Sequence, residues 1–283
     1  MVQSEQRLLG KLVSQREMAE MEAFAQKHGL WSDGLIDLRG KKVRFSHSGL
    51  DLSRFHLESA DLSGSRFRDC LGEGASFHRC TLRDVRIEAT GRCSFKGASF
   101  SESRMMRCYL GPATLDLSNC DFSEAELREV KFMLAKLGGS DFTGARLSDV
   151  EMRSADLSAV SFRMAKLQRV CLERASLREA DFTGAAFVEM EHWGEPDFTG
   201  AKIPDELRYG FACVENPVSR LETVIDRGGF TEEELASLAR FRDVVADFVG
   251  SAPEAMLIAS EYDDVIPHEL FVRVLKGMKQ VAN

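Results

Sequence analysis

The residues best able to do chemistry in this 283-residue chain are its seven cysteines and six histidines. Clustered as ligands they would hold a metal, and a cysteine beside a base would act as a nucleophile. The cysteines are Cys70, Cys80, Cys93, Cys108, Cys120, Cys171 and Cys213, and no two have the C-x-x-C spacing of zinc or redox sites. The histidines, His28, His47, His56, His78, His192 and His268, share no ligand spacing. His268-Glu269 reads as the first turn of a helix, where a carboxylate suits the positive N-terminal end. There is no glycine-rich phosphate loop, no G-x-S-x-G elbow and no H-E-x-x-H. These absences predict no catalytic residue, no cofactor, no metal and no enzymatic activity.

The elements that carry the cysteines are more informative. From Leu117 to Phe187 a large apolar residue recurs every five positions, fifteen times without a break, through Phe122, Leu127, Phe132, Leu137, Phe142 and onward. Two residues before each stands a small or short side chain, such as Ala125, Val130, Ala135 or Ser140. Cys70, Cys80, Cys93, Cys108 and Cys120 fall in this same slot, which predicts buried, free thiols serving as small hydrophobes. An in-phase block runs from Leu52 through Phe67, Gly72 and Phe77 to Ile87, and a slipped one through Phe95, Phe100, Met105, Leu110 and Leu115. Phe198 and Ile203 restart the pattern after an interruption at 191–196.

A period of five fits neither a helix nor a strand. A chain that turns inward every five residues closes a square coil of about twenty residues. Residues twenty apart should then stack, and Phe122, Phe142, Phe162 and Phe182 form one such column, with Leu117, Leu137, Leu157 and Leu177 forming another. Segments such as Ala60-Asp61-Leu62-Ser63-Gly64, Ala155-Asp156-Leu157-Ser158-Ala159 and Ala180-Asp181-Phe182-Thr183-Gly184 resemble the pentapeptide-repeat family over roughly residues 36–203. The resemblance implies an all-β solenoid, a right-handed quadrilateral β-helix. The phase slips predict surface insertions near 88–94 and 190–197, with Arg86, Arg92, His192 and Trp193 as candidate loop residues.

The ends differ from the rod. Residues 1–34 read as an N-terminal cap, with one helix over 4–28 whose apolar stripe includes Leu8, Leu12, Met21 and Phe24. Residues 204–283 read as a small helical domain. Thr231-Glu232-Glu233-Glu234 is a capping box opening a helix with Leu235, Leu238, Phe241, Val245 and Phe248 on one face. Ser251 to Glu254 is expected to open a second helix, and Pro267 a third. The stripe of the third, including Phe271, Val274, Leu275 and Met278, is a candidate for packing within the chain or for a dimer interface.

Composition (44% hydrophobic, 29% charged), the absence of any 18-residue apolar run and a polar N-terminus predict a soluble, cytoplasmic protein with no membrane partner. The net charge of −8 disfavours direct nucleic-acid binding. The charge is uneven: residues 35–203 balance 25 Lys and Arg against 25 Asp and Glu, whereas residues 204–283 hold 8 against 15. The resemblance also implies a specific alternative, because the best-known members of the family imitate DNA and protect type II topoisomerases from antibiotics. For that role the candidate face is Asp121, Glu124, Asp141 and Asp181, which with Arg163 nets −3, while the next face of the same coils nets zero. The expected function is a nonenzymatic interaction module for a protein partner. DNA gyrase or topoisomerase IV is the runner-up partner, and a secreted effector is a third reading.

Overall fold

The computed structural model describes residues 2–91, 93–111, 115–188, 196–203, 211–215, 217–249, 254–258 and 265–280. The described residues between 35 and 203 wind into a β-solenoid with four faces per coil. On one face six parallel strands stack in the order Thr81–Arg83, Arg104–Met106, Glu126–Arg128, Arg146–Ser148, Lys166–Gln168 and Ala186–Val188. On the next, Ser46–Ser48, Arg66–Arg68, Arg86–Glu88 and Tyr109–Leu110 do the same. The remaining two faces are joined coil to coil by single bridges such as Asp121 with Asp141 and Asp116 with Lys136.

The five-residue unit closes because its last residue takes the left-handed conformation. Glu124, Glu129, Asp149 and Met164 have φ near +55°, and Gly144 and Gly184 have φ of +69° and +71°. This geometry costs an L-residue roughly 1–2 kcal/mol, and only part of the corners carry glycine. Hydrogen bonds from the neighbouring coils hold the others, as where the Glu124 N–H donates to Thr143 O at 2.9 Å. The inward slots are filled largely as predicted: the central residues and the small residues two before them are buried through Phe182, while Ala185, Phe198 and Ile203 at the end of the rod are partly buried.

Six phenylalanines, not four, make the aromatic column. Phe77, Phe100, Phe122, Phe142, Phe162 and Phe182 stack at centroid distances of 4.8, 5.0, 4.6, 5.2 and 5.0 Å, with interplanar angles of 23° or less. That spacing is the strand spacing, so backbone ladder and ring stack reinforce each other. Two insertions hid the first two rings. They lengthen the step between stacked residues from 20 to 23 and then 22, yet Ser76 still pairs with Ser99 and Ser99 with Asp121. The second insertion also corrects the expected register of Leu115. Its carbonyl accepts from Lys136, which places it in the small slot before Leu117 rather than in a large slot. At Gly72 the large slot is empty of side chain and Phe95 of the next coil fills it, since a Cβ there would lie 2.6 Å from the Phe95 ring.

The N-terminal cap is two helices rather than one, α1 (Val2–Leu12) and α2 (Met18–Lys27). The break lets both apolar stripes meet the first coil, and Leu9, Leu12, Met21 and Ala25 are buried in the same core as the rod. His47 ties the break down, its Nε2 lying 3.0 Å from Gln15 O.

The C-terminal unit has its own core and mixes helices with strands. It contains α3 (Pro217–Asp226), α4 (Glu232–Val249) and α5 (His268–Gln280), with an antiparallel ribbon of Phe211–Glu215 and Glu254–Ile258. The predicted second helix is therefore wrong: Glu254 starts a strand, and the apolar run after it is too short to choose helix over strand by periodicity. Helix α3 and the strand Phe211–Glu215 were not foreseen. The capping box is present, with Thr231 N–H donating to Glu234 Oε2 at 2.9 Å and Glu234 N–H to Thr231 Oγ1 at 3.2 Å. Leu235, expected in the core, is 39% exposed, and the Phe248 side chain lies outside the described residues. Among the described residues no helix is long and apolar enough to cross a membrane.

Candidate interaction faces of the rod

Because the inward slots are apolar apart from buried serines such as Ser65, Ser103 and Ser140, the rod presents its charged chemistry on four outward faces. The strand registers assign each charged residue to one of them. The two strand faces carry central residues such as Leu82, Leu127 and Leu147 on one, and Phe67, Ile87 and Phe132 on the other. Together they bear 15 Lys and Arg against 9 Asp and Glu. The other two, the phenylalanine face and its neighbour centred on Leu117, Leu137 and Leu157, bear 8 against 13. A rod that is neutral in sum thus has a cationic side at +6 and an acidic side at −5.

The acidic side uses its carboxylates internally. Where Asp precedes the central residue and Ser or Thr follows it, the carboxylate accepts the backbone N–H two residues on. This occurs at Asp121 with Ser123 (2.9 Å), Asp141 with Thr143 (2.8 Å) and Asp181 with Thr183 (2.9 Å). Asp51, Asp116, Asp156 and Asp197 do the same on the neighbouring face. These bonds shape the turn. Burial opposes ionisation of Asp181, but bonds from Thr183 and Arg163, with Lys202 nearby, bring its pKa down to about 2. Asp116 and Asp121 are lowered in the same way, against burial, chiefly by Ser118 and Ser123. Of the four residues singled out as an interaction face, only Glu124 is exposed and without such a bond.

The cationic side is the reverse. All nine of its carboxylates are engaged, including Asp84 with Arg107 at 2.7 Å, Asp149 with Arg169 at 2.6 Å and Asp69 with the 90–91 backbone. Five cations are left over. Arg66, Arg83, Arg86, Arg146 and Lys166 are exposed and have no ion pair or side-chain hydrogen bond among the described residues. Beside them Tyr109 is 39% exposed, and a depression of about 380 Å³ opens between Arg86, Arg107, Tyr109, Glu129 and Lys131. These arginines were not foreseen as a group. They lie up to 100 residues apart in the chain, and only the coil register gathers them.

The remaining candidates resolve as follows. Arg86 lies in a strand, not in a loop, because Arg86–Glu88 pairs with the coils on both sides. The insertion follows it, and its base is fastened: Asp69 accepts from Thr90 N–H (2.6 Å), Thr90 Oγ1 (2.6 Å) and Gly91 N–H (2.7 Å). Arg92, His192 and Trp193 lie outside the described residues. Phe271, Val274, Leu275 and Met278 are buried against Leu221, Leu238 and Phe241 inside the C-terminal unit, so this stripe is occupied within the chain. Cys70, Cys80, Cys93, Cys108 and Cys120 are buried and unpaired, and burial raises their thiols to about 11 or 12.

The repeat geometry is matched by sequence. The family model for pentapeptide repeats fits 8 copies within residues 51–88, 115–149, 135–174 and 155–189. The coil region of the chain carries pentapeptide repeats. Over 105 residues the chain is 32% identical to the pentapeptide repeat protein MfpA of Mycobacterium tuberculosis (strain ATCC 25618 / H37Rv), covering 35% of this chain and 48% of that one. It thus spans about half the length of this curated relative. Similar solved structures include HetL, a pentapeptide repeat protein involved in heterocyst differentiation regulation in Nostoc sp. strain PCC 7120, at 21% identity and a TM-score of 0.30. The match covers 66% of this chain and 97% of HetL. A pentapeptide repeat protein of the Arabidopsis thaliana thylakoid lumen matches at 23% identity and a TM-score of 0.30, covering 44% and 69%.

Proposed function

We propose that the protein is a nonenzymatic interaction module, a rigid rod that binds a protein partner through its cationic side. The observation that carries this reading is the set of five unpartnered cations on two adjacent faces, all of whose carboxylates are already engaged. The ladder fixes the backbone that carries each of these cations before binding, which lowers the backbone share of the entropy cost of recognition. Capture from a lysate of the native host tests it. The full chain is expected to retain a stoichiometric protein that is lost with Arg83→Glu/Arg86→Glu, and retention by both forms alike refutes the reading.

Imitation of DNA is the weaker reading for this chain. DNA carries about one charge per 1.7 Å, or roughly 20 along seven coil spacings of about 4.8 Å. The acidic side nets −5, and its free acids Glu124 and Glu179 are balanced by the free Lys96 and Lys136. No change is expected when the protein is added to a gyrase supercoiling assay with or without a gyrase poison.

A further inference from the structure

We propose that the cationic side of the rod is the docking surface for helix α4 of a second copy of this chain, so that the protein assembles with itself through opposite charge. This inference rests on the reading of the cationic side as an interaction surface and names its occupant.

Three observations carry it. The chain contains its own complement, because residues 204–283 hold 8 Lys and Arg against 15 Asp and Glu, a net of −7 beside the +6 of the two strand faces. Next, the outward arc of α4 is built for close approach. Glu232, Ala236, Ala239, Asp243 and Asp247 recur at steps of four, three, four and four, all five are exposed, and two alanines, whose side chains end at Cβ, stand between Glu232 and the pair Asp243 and Asp247. Glu232, Glu233 and Asp247 have no ion pair or hydrogen bond among the described residues, while Leu235 and Val244 are 39% and 38% exposed along the flanks of the arc. The rod matches this composition, with Met106 and the 39% exposed Tyr109 set among the free cations.

Length supplies the third. The cations from the coil of Arg66 to that of Lys166 span five coil spacings, about 24 Å. Helix α4 has 18 residues, about 27 Å at 1.5 Å each. The inner stripe of α4 is consumed by its own core, where Leu238, Phe241 and Val245 are buried, so the arc that remains carries Glu232, Glu233, Asp243 and Asp247 with the single exposed cation Arg240 among them. An acidic helix also suits the rod better than a nucleic-acid backbone does. Carboxylates such as Glu126, Glu129 and Asp149 stand on the same faces as the cations, and a uniform row of phosphates would meet them in successive coils. If each rod receives the other copy's α4, the contact closes on itself as a two-fold dimer.

Sedimentation velocity of the full-length chain over a wide concentration range, at low and high salt, tests the proposal. A dimer at low salt that dissociates at high salt is expected, because exposed charge pairs are screened. Arg83→Glu/Arg86→Glu/Arg146→Glu and Glu232→Lys/Glu233→Lys/Asp247→Lys are each expected to be monomeric at low salt with unchanged circular-dichroism melting curves. Mixed in equal amounts, the two variants are expected to recover the dimer, since each reversed surface then meets its reversed partner. A wild type that stays monomeric at every salt overturns the proposal, as does a dimer that survives both triple substitutions. Binding of a labelled oligonucleotide through the same arginines by a monomeric wild type also overturns it. Any of these failures leaves the capture experiment with a foreign partner to be judged separately.

Discussion

The two sides of the rod carry similar numbers of charged residues, yet they use them differently. On the acidic side the aspartates are part of the coil, each holding the turn that follows its own central residue. On the cationic side eight of the nine carboxylates pair with neighbouring lysines or arginines, Asp69 holds the 90–91 backbone, and five cations are left facing solvent. Formal charge therefore misleads as a guide to interaction surfaces. What matters is the charge not already engaged, and by that measure the acidic side is balanced and the cationic side is not.

The largest expected effect falls on what both sides share, the stacked core. Phe142 is fully buried between Phe122 and Phe162, and Phe142→Ala should cost about 3–5 kcal/mol, read as a large fall in thermal midpoint. A loss under 1 kcal/mol would mean the six-ring column does not hold the faces in register. The comparison itself is broken or sharpened by removing charges from one side at a time. The triple change Asp121→Ala/Asp141→Ala/Asp181→Ala removes three turn-holding acceptors and should destabilise by about 1 kcal/mol per site. Arg83→Glu/Arg86→Glu/Arg146→Glu should leave stability within about 0.5 kcal/mol. Equal losses in the two triples, measured by denaturant unfolding, would erase the distinction.

Acid should weaken both sides of the rod without mutation, since Asp69, Asp84 and Asp149 of the cationic side are also held below the usual carboxylate value. Asp116, Asp121 and Asp181 are held below the usual carboxylate value in the folded rod, Asp181 at about 2. A depressed folded pKa contributes stability that is present above the unfolded value and lost as pH falls through the folded one. The melting temperature should therefore drop between about pH 4 and pH 2. At the other extreme the five buried thiols are raised to about 11 or 12 from an ordinary value near 9, so their contribution is complete below pH 9 and lost as pH rises toward 12. Thiolate absorbance appearing well before unfolding would contradict that burial. The smallest effect belongs to Glu124→Ala. It removes the one exposed member of the expected acidic face and should change stability by less than about 0.5 kcal/mol.

Much of this was legible before folding. The five-residue period and the small slot two residues earlier correctly placed Phe122, Phe142 and five cysteines inside, since inward and outward alternate within one short unit. The Asp-x-Ser and Asp-x-Thr pairs were equally visible at Asp121, Asp141 and Asp181, but were read as surface charge because a hydrogen bond to the turn leaves no mark in composition. Phe77 and Phe100 were missed as members of the column because insertions changed the spacing while the fold kept the register. In the C-terminal unit, Glu254–Ile258 was misread because its strand partner lies some forty residues away at Phe211–Glu215, beyond any local periodicity.

The sequence alone determined the coil, its inward residues, the burial of the thiols and the acidity of residues 204–283, because each depends on neighbours within a few positions or on simple sums. Only the tertiary structure decided which outward charges are neighbours. Arg66, Arg83, Arg86, Arg146 and Lys166 become one surface through stacking across coils of 20, 22 and 23 residues, and their lack of partners follows from which carboxylates that stacking brings within reach.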